Sequence, residues 1–366
     1  MAEIHLKSLA HSYSKSPSGP EDYAIRQLDH VWHKGGAYAL LGPSGCGKST
    51  MLNIISGLVQ PSEGEVLFDG KRVNALSPRD RNIAQVFQFP VIYDSMTVYQ
   101  NLAFPLKNNK VPSARIKERV QEIAEVLEIE DKLHKKAKNL TADEKQKVSM
   151  GRGLVREDVS AILFDEPLTV IDPQLKWKLR RKLKQIHEQF DITMVYVTHD
   201  QLEASTFADK IAVMYDGQIV QFGTPTELFE QPNHTFVGYF IGSPGMNLID
   251  VERSATGVRF GSTEITLSPW QVEQLARLNS TNIKIGIRPE FIRLEMKPLD
   301  DSYEVEVMDM EDLGTYKIVD VGLEAQTLKV RVDEDFQVAI GSRLHLSMPS
   351  QWTMLYVDEF LIQEQS

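Results

Sequence analysis

The sequence predicts an α/β domain followed by a smaller all-β domain, on three observations. From Ile4 to about Gln221, short β-branched runs such as SAILFDE and DITMVYVT alternate with helical stretches, the pattern of a parallel sheet covered by helices. Within that stretch a glycine-rich run, GPSGCGKST, follows the apolar run AYALL and precedes the helix-compatible run MLNIISGL. After Phe240 the segment IGSPGMN concentrates Gly, Ser, Pro and Asn. Beyond it the composition shifts to short runs such as IKIGIRP, YEVEVMD, TLKVRVD and RLHLSM, which read as strands. The boundary therefore falls near 236–246, giving domains 1–240 and 241–366. The total of 366 residues suits two domains at roughly 100 to 200 residues each. Between Pro112 and Glu130 the apolar residues Ile116, Val120, Ile123 and Leu127 recur at helical spacing, which predicts an amphipathic helix packed on one side.

Composition narrows the chemistry. With 42% apolar and 25% charged residues the chain is neither disordered nor collagen-like. No apolar run approaches the ~18 to 20 residues of a membrane-spanning helix, and the opening MAEIHLKSLAHSYSK does not resemble a signal peptide, so a cytoplasmic location is expected. One cysteine, Cys46, excludes an internal disulfide and a zinc cluster of thiolates. The net charge of −11 is concentrated at one end: residues 246–366 hold 11 Lys/Arg against 21 Asp/Glu. Such a surface is repelled by phosphate backbones, which argues against nucleic acid as a partner.

The run Gly42, Pro43, Ser44, Gly45, Cys46, Gly47, Lys48, Ser49 and Thr50 satisfies GxxxxGK[ST] in the strand, loop, helix context that the pattern requires. Glycines let backbone N–H groups curve around phosphate oxygens, the helix N-terminus supplies positive potential, and Lys48 supplies a full charge. Ser49 is positioned to hold Mg²⁺ by its hydroxyl, and Cys46 reads as a small filler. Downstream, SAILFDEP is an apolar strand ending in Asp165 and Glu166, two carboxylates that are costly there unless they serve a cation or a proton transfer. Asp165 suits the metal shell, and Glu166 suits the base that polarises an attacking water in line with a γ-phosphate.

With these motifs in place, the sequence resembles the ATP-binding cassette family, the ATPase subunits of membrane transporters, over essentially its whole length. The resemblance implies an ABC-type P-loop ATPase with a helical subdomain at about 89–158, ATP and Mg²⁺ as cofactors, and a γ-phosphate contact from His199 in YVTHDQLEA. Gln88 in AQVFQFP matches the Q-loop glutamine, which in the family touches Mg²⁺ and the attacking water, and Asp172 in LTVID matches the D-loop. Tyr13 lies where the family stacks an aromatic ring on adenine, with Tyr23 as the competing candidate. FIGSPGMN and GIRPE look like segments of carbohydrate-importer ATPases, which carry an all-β OB/MOP-like regulatory domain after the cassette. The run from Leu76, LSPRDRNIAQVFQFPVIYDSMTVYQNLAFPL, is similar to ATPases of glycerol and polyol importers that use two different ATPase subunits. The partners so implied are two membrane permeases, a solute-binding protein acting through them and a second ATPase subunit, with the chain peripheral on the cytoplasmic membrane face.

One departure matters. Where the family has LSGGQ this chain has Leu140, Thr141, Ala142, Asp143 and Glu144, while KQKVSMGRGLVR behind it keeps the helical pattern. Ala142 adds a Cβ where backbone must approach closely. Asp143 and Glu144 are expected to bring carboxylates toward a γ-phosphate, and two like charges about 5 Å apart at an effective dielectric of ~20 repel by roughly 3 kcal/mol. A homodimer would then have two impaired sites, whereas a paralogue with an intact signature leaves one sound. The competing expectations are an ordinary homodimer that tolerates the change and a subunit that mainly holds ATP while its partner turns over.

Overall fold

The structure, a computed structural model, describes residues 1–169, 171–190, 192–254, 257–298 and 301–363, apart from the side chains of Gln174 and Phe190. Val170 of LTVID and Asp191 at the head of DITMVYVT lie outside the described residues. Two compact units divide between Pro225 and Thr226, upstream of the expected 240/241 boundary.

In the first unit the strands are β1 (Ile4–Ser12), β2 (Tyr23–Trp32), β3 (Ala37–Leu41), β4 (Glu63–Phe68), β5 (Lys71–Arg72), β6 (Ile83–Val86), β7 (Ala161–Asp165), β8 (Met194–Thr198), β9 (Lys210–Tyr215) and β10 (Gln218–Gly223). The principal helices are α1 (Lys48–Ser56), α2 (Val98–Asn108), α3 (Ser113–Val126), α4 (Ala142–Leu154), α5 (Pro173–Phe190) and α6 (Gln201–Phe207). A six-stranded sheet runs β10-β9-β3-β8-β7-β6, parallel except for the β9–β10 hairpin. All five residues of β3 are buried, as a strand covered on both faces requires. The expected alternation does not extend to the N-terminus: β1 and β2 pair antiparallel and join β4 and β5 in a separate four-stranded sheet. That sheet supplies Ile4, Leu6, Leu9 and Trp32 to the core shared with β3 and α1.

Three helices announce themselves through their caps. Thr97 with Gln100 and Thr141 with Glu144 form reciprocal capping boxes on α2 and α4, and Asp200 accepts from Leu202 and Glu203 N–H at the start of α6. The expected amphipathic helix is α3, with Ile116, Val120 and Ile123 buried. Arg81, 2% exposed, donates to Ile54 and Ile55 carbonyls and so closes the C-terminus of α1.

The second unit holds two antiparallel sheets around one apolar core. One runs Thr263–Thr266, Gly257–Phe260, Asn247–Arg253, Ile283–Ile287, Met354–Val357, Phe360–Leu361; the other runs Arg293–Glu295, Arg343–Ser347, Ser302–Asp312, Tyr316–Leu323, Gln326–Asp333. Asn247, from FIGSPGMN, stitches them together: its amide donates to Ile287 and Lys329 carbonyls and accepts from Lys329 N–H. Arg288, from GIRPE, is fully buried and donates to the carbonyls of Phe229 and Ile241, while Tyr356 donates to Pro232 O. These bonds explain why residues 226–240 go with the β-rich unit rather than with the cassette: their backbone acceptors are satisfied there. A helix absent from the sequence reading, Pro269–Arg277, is capped by Ser268 and Gln271.

Candidate functional site

The parallel strands end in register: Val86 lies opposite Phe164, Asp165 opposite Val197, and Leu41 opposite Thr198. The residues that follow, Gln88, Glu166, His199 and Gly42, therefore leave the sheet at one edge, the carboxyl ends of its strands, where open α/β sheets bind ligands. The loop after β3 is bounded tightly. A Cβ on Gly42 would lie 2.3 Å from Met214 O, and one on Gly47, at φ +101°, 2.3 Å from Ala24 O. Lys48, at the first position of α1, is 5% exposed, and its ammonium donates to Gly42 O at 2.9 Å and Pro43 O at 2.8 Å. Cys46 is buried in the loop and its thiol is pushed up by that burial, which suits a filler better than a nucleophile.

Across from the loop, Ser49 Oγ donates to Asp165 Oδ1 at 3.1 Å. Burial raises the Asp165 carboxyl above its ordinary range, the Ser49 bond and Lys48 pulling the other way. Such a carboxylate beside a hydroxyl is an oxygen donor set suited to Mg²⁺, which needs few protein ligands when phosphates supply the rest. Among the described residues no three His, Cys, Asp or Glu gather into a self-sufficient metal cage.

Glu166 sits at the centre of the remaining contacts. Its φ is +45°, in the left-handed region, and its N–H is held by Val197 O at 3.0 Å. One carboxylate oxygen lies 3.3 Å from His199 Nδ1; the other accepts from Thr169 Oγ1 at 3.3 Å and Gln88 Nε2 at 3.5 Å. Lys48, Ser49, Asp165, Glu166, Gln88 and His199 thus lie together at this edge of the sheet. Tyr13 is 66% exposed, with its hydroxyl 3.2 Å from Thr50 Oγ1 at the end of the phosphate loop and its ring edge-on to His11. Tyr23 is instead tied to Glu63 at 3.0 Å. Asp172 stands immediately before α5, its carbonyl accepting from Leu175 and Lys176 N–H.

The segment Leu140–Glu144 differs from expectation at Glu144. That carboxylate turns back: Oε2 accepts from Thr141 N–H at 2.9 Å, Thr141 Oγ1 accepts from Glu144 N–H at 3.2 Å, and Lys132 Nζ stands 3.6 Å from Oε1. Asp143 is partly buried, with an enclosed Oδ1 that meets no hydrogen-bond donor among the described residues. Its carboxyl is raised first by burial and further by Glu144 and Asp172, against Lys147. Two backbone N–H groups at the start of α4 are therefore spent within the chain, and the buried Leu140 anchors the turn.

The sequence reading missed the residues that hold the site in place. Glu203, 4% exposed, accepts from Tyr196 and Thr198 hydroxyls at 3.1 and 3.0 Å and fixes the strand that presents His199. The spacing Asp200-x-x-Glu203, a capping pattern directly after His199, is the signal that could have found it. Gln146, fully buried on α4, donates to Phe87 O and Pro167 O and so links the signature helix to the segments bearing Gln88 and Glu166. A lone glutamine in a helix carries no comparable signal.

A glycine-lined phosphate cradle with an Asp–Glu strand end and a facing histidine defines an ATP-hydrolysing P-loop protein that uses Mg²⁺. The ABC transporter family model matches residues 25–169, and models of the MalK OB-fold domain and the TOBE domain match 242–292 and 285–355. An sn-glycerol-3-phosphate import ATP-binding protein of Agrobacterium fabrum is 36% identical over 96% of this chain and 91% of its own. The oligosaccharides import ATP-binding protein MsmX of Bacillus subtilis is 36% identical over 94% of each chain. The trehalose import ATP-binding protein SugC of Mycobacterium tuberculosis is 40% identical over 94% of this chain and 88% of its own. Among solved structures, cbiO1 of Clostridium perfringens, part of an ABC transporter complex, superposes with a TM-score of 0.56 at 28% identity, covering 62% of this chain and 90% of that one. A dimeric ATP-binding cassette bound to ADP and Pi superposes with a TM-score of 0.54 at 29% identity, covering 60% and 98%. The chain belongs to the ABC transporter ATPases, in the group of carbohydrate and polyol importer subunits.

Proposed function

We propose that this subunit powers uptake of a small polyol, glycerol being the leading candidate, and that it does so paired with a paralogous ATPase whose signature segment is intact. The observation that carries this reading is the contrast within one chain: Lys48, Ser49, Asp165, Glu166, Gln88 and His199 gather at one edge, while the α4 N-terminus carries Ala142 and the partly buried Asp143 carboxylate where the family signature has two glycines. In a dimer that shares two sites, this chain contributes the hydrolytic half of one site and an impaired signature to the other. Glu166 orients and deprotonates the attacking water, His199 and Lys48 hold the γ-phosphate, Ser49 and Asp165 hold Mg²⁺ with Gln88 near it, and Tyr13 stacks on adenine. Bound Mg²⁺ supplies charge neutralisation at the phosphates.

The solute comes only from resemblance. The run from Leu76 supports a polyol, and the relatives named for glycerol phosphate lie closer to that chemistry than those named for trehalose or oligosaccharides. Exposed Phe89, Val91 and Tyr93, directly after Gln88, support a docking face for the permeases and hence a place on the cytoplasmic side of the membrane. No helix among the described residues is long and apolar enough to cross it.

The test is Mg²⁺-dependent ATP turnover by the purified chain beside a variant carrying Thr141→Ser, Ala142→Gly, Asp143→Gly and Glu144→Gln, both first shown to bind ATP. The expected result is turnover gained on restoration and abolished again by Glu166→Gln. Equal turnover by the unmodified chain would refute the pairing and leave a homodimeric importer ATPase.

A further inference from the structure

Helix α5 carries six Lys or Arg residues between Lys176 and Lys184, in a chain whose net charge is −11. A pocket of about 390 Å³ beside it is walled by Trp177, Arg180, Arg181, Lys184 and Glu188 of α5 and by Thr206 of α6. Arg180 is 6% exposed, and its Nε, sealed from solvent, meets no acceptor among the described residues. Sealed guanidinium nitrogens without an acceptor also occur at Arg152, Arg156 and Arg288, but those arginines donate through their other nitrogens to backbone carbonyls, as Arg81 and Arg119 do. Among the described residues Arg180 forms no ion pair with a carboxylate, and the buried Glu203 carboxylate of α6 is engaged by Tyr196, Thr198 and Lys176. Arg181 lies over the Trp177 ring, 5.7 Å from its centroid, and Trp177 is 56% exposed.

A guanidinium nitrogen buried without an acceptor is costly, and three cations facing one carboxylate leave an excess of positive charge for an anion to answer. Arginine forks match phosphate oxygens in geometry as well as charge, and an exposed indole offers a flat apolar surface. The volume lies at the small end of ligand sites, enough for a phosphate and a few carbons. We propose that this pocket binds a small phosphate monoester, its dianion held by Arg180, Arg181 and Lys184 and its organic part laid against Trp177. Along the chain, the two helices that wall the pocket each follow a segment of the candidate catalytic site. Helix α5 begins at the residue after Asp172 and α6 two residues after His199. The inference does not rest on the proposed pairing or on the transported solute.

Two arms separate a free phosphate ester from a lipid headgroup of the same chemistry. In the first, the full-length chain, with its phosphate loop saturated by MgADP, is titrated with phenyl phosphate while tryptophan emission is followed. In the second, it is sedimented with phosphatidylcholine vesicles with and without phosphatidic acid. A saturable response to either probe is expected, with the emission change removed by Trp177→Phe. Binding should weaken about tenfold or more in the double variant Arg181→Gln, Lys184→Gln, as loss of charge-assisted contacts requires. Both positions are partly solvent-facing, so an unchanged Tm checks that the fold is kept. No response to either probe, the same response to sodium chloride at equal ionic strength, or unaltered binding by the double variant would overturn the proposal.

Discussion

Around the phosphate loop, side chains from separate strand ends reach one another: Ser49 to Asp165, and Gln88 and His199 both to Glu166. At the signature segment the polar groups reach only inward, Thr141 and Glu144 satisfying each other across one helical turn. Yet both places begin a helix, and a helix N-terminus attracts anions. The difference is in what occupies the free N–H groups. At α1 the left-handed Gly47 is the N-cap and no side chain caps the helix, whereas at α4 Thr141 and Glu144 take up between them the N–H groups of the N-cap and of the third helical residue.

The largest expected effect sharpens the first half of that comparison. In the signature-restored chain, Glu166→Gln is expected to lower turnover by about 10² to 10⁴, the range for a general base, while ATP binding persists. Phosphate release and a nucleotide-binding titration on the same sample check it. Turnover surviving at a tenth of the parent rate would mean that Glu166 is not the base and that its contacts with His199 and Gln88 are structural.

Next in size is the aromatic contact. Stacking on a base is worth about 1 to 3 kcal/mol, so Tyr13→Ala is expected to weaken ATP binding about tenfold and Tyr13→Phe hardly at all. Tyr23→Ala should leave affinity unchanged, because the Tyr23 hydroxyl is bound to Glu63 rather than to the loop. A reversed result would move the adenine to the other side of the β1–β2 turn.

Much of this was legible in the linear pattern. GPSGCGKST and SAILFDEP are contiguous and their spacing is set by local backbone geometry, so Lys48, Ser49, Asp165 and Glu166 could be placed without a fold. The β-rich unit was legible as a shift to short strand-like runs, and Ile283–Ile287 and Gln326–Asp333 fall on the expected runs. The hidden parts depend on contacts remote in sequence. The N-terminal antiparallel sheet needs the pairing of β1 with β4, and the early division at Pro225 needs Arg288 reaching back to Phe229. Glu144 was visible, but the direction of its side chain was not, although Thr141-x-x-Glu144 is itself a capping box. The functional expectation for two carboxylates masked the local rule.

That rule predicts a stability effect. Thr141→Ala removes the acceptor for Glu144 N–H and is expected to cost about 1 kcal/mol, read as a lower denaturant midpoint of the cassette with MgADP present throughout. Thr141→Ser should restore it, because serine caps as well as threonine. If Thr141→Ala is neutral, the box does not hold in solution and the α4 N-terminus is free for an external anion, which would remove the contrast with α1.

The smallest effect concerns Asp143, the carboxylate that the box does not use. Burial, with Glu144 and Asp172, raises its folded-state pKa above the value of about 3.9 for an unfolded chain. Between those two values the folded chain holds more protons than the unfolded one, so this group's contribution to stability falls as pH rises and stays low above the folded value. Asp143→Asn removes the penalty, and it is expected to stabilise the chain at pH 7 by no more than about 1 kcal/mol, the scale of an unpaired polar group. The gain should shrink as pH is lowered through the folded value and be lost only below about 3.9, where the aspartate is neutral in both states. Urea midpoints for the two proteins at pH 7 and at the lowest pH where both remain folded measure that difference. A gain of equal size at both pH values would trace to helix propensity or packing instead, and Asp143 would then carry no electrostatic cost for the partner's ATP to meet.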